Sequence, residues 1–171
     1  MALIRLNNQS LTNVTALAGI SSNSTSGTAI NIGSNNHVTM ASQPFFSAYK
    51  NGDQVLTAHT PTKITSWTTM YDVGSGWDAS NNKWVAPTDG YYLIHLCIQS
   101  NVLNGLHVRV DVNGSLSWNG NAYLDGNDVS GMNNTYFADL SVNDYVEFYA
   151  YLTTNGNVNA LRTRASVVKL A

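Results

Sequence analysis

Catalysis in water asks for a nucleophile beside a base, a pair of positioned carboxylates, or a metal held by clustered ligands. This sequence offers fragments of each and completes none. Its four histidines, His37, His59, His95 and His107, are scattered and form no His-x-His or His-x-x-x-His spacing. A lone histidine on a strand face is ordinarily structural, although His95 and His107 are expected to approach if their strands adjoin. "GSGWD" at Gly74–Asp78 sets a serine between glycines without the Gly-x-Ser-x-Gly spacing of a nucleophile elbow, and reads as a turn. "DGND" at Asp125–Asp128 clusters oxygen ligands, so Asp125 and Asp128 are weak calcium candidates. The bidentate glutamate of a calcium loop is missing, and a plain turn explains the stretch as well. The single cysteine, Cys97, excludes an intrachain disulfide and a cysteine-based zinc site, and its apolar surroundings predict a buried, inert thiol. No glycine loop of phosphate-binding type opens a helix. The expectation is a protein that is not an enzyme, with no catalytic residue, cofactor or metal.

Composition narrows the remaining classes. Eight Lys and Arg against ten Asp and Glu give a net charge of -2 over 171 residues, which leaves no electrostatic footprint for nucleic acid or an anionic membrane. No stretch approaches the roughly 18–20 apolar residues that a membrane span needs. The opening "MALIRLNNQSLTNVTALAG" is interrupted by Asn7, Asn8, Gln9 and Ser10, too early for the continuous apolar core of a secretory signal. Asn, Ser, Thr and Gly make the surface polar instead of charge, a skew that suits turn-rich β structure.

The elements that would position these residues are strands. "HVRVDVN" at His107–Asn113 alternates Val108, Val110 and Val112 with His107, Arg109, Asp111 and Asn113, as expected of a strand half-buried in an antiparallel sheet. "YVEFYAYL" at Tyr145–Leu152 sets Val146, Phe148, Ala150 and Leu152 against Tyr145, Glu147, Tyr149 and Tyr151. Further strands are predicted at Phe45–Lys50, Thr62–Tyr71, Lys83–Ala86, Tyr91–Gln99, Tyr136–Leu140 and Ala165–Leu170. Turn clusters separate them, and no segment of this region keeps a 3.6-residue period. The class is therefore all-β, a sandwich or jelly roll. Residues 1–20 read as an arm, residues 21–42 as a polar linker, and residues 43–171 as the head.

Two strands carry apolar residues on both faces. In Tyr91–Ile98 the even positions Tyr92, Ile94, Leu96 and Ile98 suit the core, yet Tyr91, Leu93, His95 and Cys97 opposite them are also largely apolar. Tyr145, Tyr149 and Tyr151 likewise crowd a face that should meet solvent. Tyrosine joins large buried area to a polar tip, so these six positions, Tyr91, Leu93, His95, Tyr145, Tyr149 and Tyr151, are candidates for a self-association interface. A long loop folded over them is the alternative.

The stretch "WDASNNKWVAPTDGYYLI" resembles the signature of the C1q/TNF-like superfamily. Trp77 and Asp78 open the turn, Asn81 and Asn82 stand where Thr-Gly is usual, and Trp84 replaces a phenylalanine. Ala86, Pro87, Gly90 and Tyr92 match outright, with Ile94 in place of the last aromatic. "PFFSAY" at Pro44–Tyr49 is similar to the family's opening strand, and "LSVNDYVEF" at Leu140–Phe148 to a later strand entry in which Asn143 replaces glycine. Asparagine suits both replaced positions because it tolerates the left-handed backbone region. The resemblance covers residues 43–171 and departs over 113–134 and at the last strand. It implies an antiparallel jelly roll of ten strands, a homotrimer about an apolar axis, and a core containing Tyr92 and Ile94.

The leader "LNNQSLTNVTALAG" is similar to the opening of structural proteins of tailed phages, where it precedes varied β-rich domains. The two resemblances together imply a virion structural protein on the particle surface: a trimeric C1q-like knob that decorates or cements the capsid. Leu3, Ile4, Leu6, Leu11, Val14 and Leu17 would dock it to a major capsid or tail protein. The alternative is the receptor-binding head of a short tail fibre, with loops such as Trp118–Asp128 touching a host surface glycan. A non-viral C1q-like ligand is a third reading, disfavoured by the missing collagen repeats.

Overall fold

The computed structural model describes residues 20–21, 28–32, 38–40, 42–101, 105–122 and 130–171. Contacts divide the chain into two units, Met1–Ser42 and Gln43–Ala171. In the first, β1 (Ile20–Ser21), β2 (Thr28–Ile32) and β3 (Val38–Thr39) form a small antiparallel sheet that takes in the last arm residue, Ile20, and parts of the stretch read as a polar linker. Leu3, Ile4, Leu6, Leu11, Val14 and Leu17 lie outside the described residues, as do Asp125 and Asp128.

The second unit is a sandwich of two antiparallel sheets. One contains β4 (Phe45–Lys50), β5 (Gln54–Leu56), β7 (Trp67–Val73), β10 (Gly90–Ser100), β13 (Ser130–Leu140), β15 (Gly156–Val158) and β16 (Arg164–Lys169). Along it the order β7-β4-β16-β10-β13 places β10 between two long partners. The other contains β6 (Thr62–Lys63), β8 (Trp77–Asp78), β9 (Lys83–Val85), β11 (Leu106–Val112), β12 (Ser115–Ala122) and β14 (Tyr145–Leu152).

Period-two alternation fixes which face each strand buries. Strand β10 buries Tyr92, Ile94, Leu96 and Ile98, and β14 buries Val146, Phe148, Ala150 and Leu152, as their patterns predict. Between the sheets Trp84 of β9 meets Tyr92 of β10 edge-on at 5.3 Å, and the Tyr92 hydroxyl donates to the Thr88 carbonyl at 2.7 Å. Phe46 stacks on Trp77 at 4.9 Å, again bridging the two sheets.

The three stretches that carry the family resemblance are joined in space. The Asn143 amide donates to the Ala86 carbonyl at 2.9 Å, and the Ala86 amide to the Asp144 carbonyl at 2.8 Å. Asn82 and Asn143 have φ of 48° and 73°, the left-handed region for which asparagine substitutes for glycine. Asp78 closes its turn by accepting from Ser80 Oγ at 2.6 Å and from Asn81, and those donors, Ser80 foremost, hold its carboxyl down at about 2.

Several expectations need correction. The single strand expected over Thr62–Tyr71 is two, because the chain crosses from one sheet to the other at Ile64–Ser66, with Ser66 at φ 59°. The hairpin after β11 turns at Asn113-Gly114, both at positive φ as a two-residue type I′ turn requires. The following residues continue as β12 to Ala122, so Trp118–Ala122, expected in a loop, is strand. In that edge strand Leu116, Trp118, Gly120 and Ala122 alternate with Ser115, Ser117, Asn119 and Asn121, but only two of the four are large and apolar, too few to announce a strand. Asp111, expected on the solvent face, is 1% exposed beside the register shift of β11 against β12.

Lys50 is an inward residue of β4, on the face of Phe46 and Ala48, and is 1% exposed. Its Nζ donates to the Thr65 carbonyl at 2.9 Å, and burial lowers its pKa while nearby Asp53 partly restores it. The unfolded chain therefore holds this proton to higher pH than the fold does. Stability should climb as pH rises from the lowered value towards the ordinary 10.5. Urea denaturation at pH 7 and 10 should show the wild type gaining on Lys50→Met as pH rises; a constant difference would refute the assignment.

Candidate functional site

The outward face of the larger sheet carries an uninterrupted apolar row. Register places Val73 of β7 beside Phe45 of β4, Phe45 beside Val168 of β16, Val168 beside Leu93 of β10, and Leu93 beside Phe137 of β13. At ~4.8 Å between strands the row spans roughly 19 Å. Tyr71 extends it by stacking on Phe45 at 5.7 Å, and Tyr91 flanks Leu93 on the same face. Phe137, Tyr91 and Tyr71 are 65%, 60% and 57% exposed, so no described part of the chain folds over them.

A polar row lies alongside. Tyr71, Ser47, Ser166, His95 and Thr135 are successive neighbours by register. His95 Nδ1 lies 3.2 Å from Thr135 Oγ1, and the Ser166 and Ser47 hydroxyls are 3.4 Å apart. Cys97 follows on this face, half-buried rather than enclosed in the core as its run suggested. Partial burial raises its thiol pKa, against a smaller opposing effect of Arg164, and Sγ donates to the Arg162 carbonyl. The error came from reading an apolar run as a two-sided core; the second side is surface.

The six interface candidates therefore divide. Tyr91, Leu93 and His95 share the face just described, whereas Tyr145, Tyr149 and Tyr151 lie on the outward face of the other sheet. His95 and His107, expected to approach, are on opposite outer faces for the same reason. The second group of tyrosines is already engaged. Lys83 Nζ lies 4.3 Å above the Tyr145 ring, Arg109 5.3 Å above that of Tyr149, and the Tyr151 hydroxyl is 2.8 Å from His59 Nδ1.

Arg109 is the centre of this second network. Its Nε and Nη2 donate to the two carboxylate oxygens of Asp111, each at 2.5 Å, and that pairing raises the Arg109 pKa. Burial, followed by the charges of Glu147 and Asp111, pushes the Tyr149 phenol up. Lys63 pairs with Glu147 at 2.5 Å one strand away. Opposite charges are thus matched residue by residue across the face. Among the described residues no three His, Cys, Asp or Glu side chains are grouped as metal ligands.

No protein-family model matches the sequence, and no curated protein does. Solved structures do resemble the fold. Murine APRIL at pH 5.0 superposes with a TM-score of 0.59 at 13% identity, covering 75% of this chain and 99% of that one. The globular domain of zebrafish complement 1qA gives 0.56 at 13% identity, covering 73% and 94%. The head is accordingly an all-β antiparallel sandwich of C1q/TNF-like fold.

Asp111 is buried with its charge compensated by an arginine that is 28% exposed. Arg109→Ala should strand that carboxylate and destabilise the head by on the order of 2–3 kcal/mol. Replacing both partners, Arg109→Met with Asp111→Leu, should recover most of the loss. Equilibrium urea denaturation of the two variants checks this, and an Arg109→Ala midpoint equal to wild type would contradict it.

Proposed function

We propose that the head assembles as a homotrimer through the outward face of its larger sheet, and that the chain is a virion structural protein whose N-terminal arm ties the trimer to a phage particle. The observation that carries the assembly is the five-strand apolar row from Val73 to Phe137. It is wider than the isolated exposed side chains that any monomer shows, and it is flanked by two exposed tyrosines. A closed trimer needs two different patches on each chain, one meeting the other around the ring. The apolar row supplies one of them, with Tyr91, Leu93 and His95 retained from the sequence reading and Phe45, Val168 and Phe137 added. Tyr145, Tyr149 and Tyr151 are weaker candidates, because intrachain partners already occupy their rings and hydroxyls.

The virion assignment rests on the resemblance of the leader to phage structural proteins, together with the low net charge, which suits a particle surface better than nucleic acid. Decoration of the capsid is the preferred role. The arm's aliphatic side chains, from Leu3 to Leu17, would insert into a coat-protein surface while the intervening Asn, Gln, Ser and Thr hydrogen-bond its backbone.

Deleting residues 1–20 should leave a head with wild-type thermal stability that no longer enters particles. Incorporation at wild-type levels would refute the docking role. Gold-labelled antibody on intact virions then separates the two placements. Label spread over the head supports decoration, and label confined to the tail tip supports the receptor-binding alternative.

A further inference from the structure

A shallow cleft opens on the outward face of the smaller sheet, on the opposite side of the sandwich from the apolar row. Its volume is about 230 Å³, and Pro61, His107, Arg109, Leu116, Ala150 and Tyr151 line it. That size lies below the roughly 300 Å³ at which pockets for drug-sized molecules begin, so it suits a single small ring.

The walls differ in chemistry. Pro61, Leu116 and the Tyr151 ring are apolar, and His107 packs its ring 4.8 Å from that of Tyr151. The polar edge is Arg109, which enters already ordered. Nε and Nη2 are committed to Asp111, and among the described residues none takes Nη1, which can serve an occupant. Because Asp111 neutralises the guanidinium, the cleft offers a fixed hydrogen-bond donor without net charge. An occupant matched to these walls is neutral, with one apolar face and acceptor oxygens along its rim.

Tyr151 is also held in place. His59 brings Nδ1 to within 2.8 Å of the Tyr151 hydroxyl, and it does so from φ 60°, a backbone region that a histidine adopts at a cost. Its amide is fixed by the Leu152 carbonyl at 2.8 Å. Strain that persists to orient one aromatic ring at the wall of a cleft is the pattern of a preorganised binding site.

We propose that this cleft binds one neutral pyranose ring, the sugar's C–H face against Tyr151 and Leu116 and a ring hydroxyl oxygen accepting from Arg109. Nucleobases share the ring size, yet the chain's low positive charge provides no track for the nucleic-acid strand that would carry them. The inference does not depend on the trimer or on the virion assignment, since every residue it uses belongs to one head.

Saturation-transfer NMR on the full chain, with glucose, galactose, mannose, N-acetylglucosamine, glucuronate and adenosine as separate probes, tests it. At least one neutral sugar should bind with a dissociation constant in the millimolar range, about -4 kcal/mol by the standard conversion. Leu116 is 53% exposed, so Leu116→Trp can fill the cleft without entering the core, and it should weaken binding about tenfold or more. His59→Gly relaxes the backbone while freeing Tyr151; it should weaken binding about threefold or more without loss of thermal stability. Val142→Trp, at an exposed site outside the cleft lining, should leave affinity unchanged. The proposal is overturned if no neutral sugar binds at about 10 mM, if only glucuronate or adenosine binds, or if Leu116→Trp binds as the wild type does.

Discussion

Strand β10 has apolar side chains on both of its faces, and the described residues of the head cover one of them. Tyr92, Ile94, Leu96 and Ile98 are sealed between the sheets, while Leu93 sits in an outward row with Val73, Phe45, Val168 and Phe137. Neither side can be made polar without consequence. A slip of one residue in register would exchange the two sets, and the hydrogen-bonded pairing of all eleven β10 residues with β13 opposes that slip. The second apolar face is thus a designed property of the strand, and it is the physical basis for expecting self-association.

What fixes β10 against the other sheet is a small set of contacts at one end of the sandwich. Trp84 packs on Tyr92, whose hydroxyl is anchored at Thr88, and the Ala86 backbone is hydrogen-bonded on both sides to Asn143 and Asp144. Asp144 in turn accepts from the Ser141 amide and the Asn113 side chain, which lower its pKa, the Asn113 amide foremost. Polar side chains close the turns, and aromatic ones fill the space between the sheets. The two outer faces carry opposite chemistries. One is an apolar strip, and the other is a charge-matched network around Arg109, Asp111, Lys63 and Glu147.

The fold was legible because strand alternation and the Trp77–Ile94 and Leu140–Phe148 motifs act locally, where residue type and spacing decide burial and turn shape. Even the left-handed backbone at Asn82 and Asn143 was readable as asparagine standing for glycine. Legibility failed where the answer depends on which sheet a strand joins. His95 and His107 alternate alike with their neighbours, yet topology sends them to opposite faces. Leu116 and His59, which shape the cleft, went unread: one lies in an edge strand with only two large apolar residues and the other in a loop.

The proposal that the apolar face of β10 and its neighbours packs against a further copy of the chain has a direct test. Multi-angle light scattering on the full chain at micromolar concentration measures this directly. The expected mass is about three times the 18.5 kDa of one chain. Leu93→Glu, which places a charge in the middle of the row, should reduce it to the mass of one chain with the circular dichroism of the β fold retained. A wild-type protein that scatters as a monomer at that concentration would contradict the account.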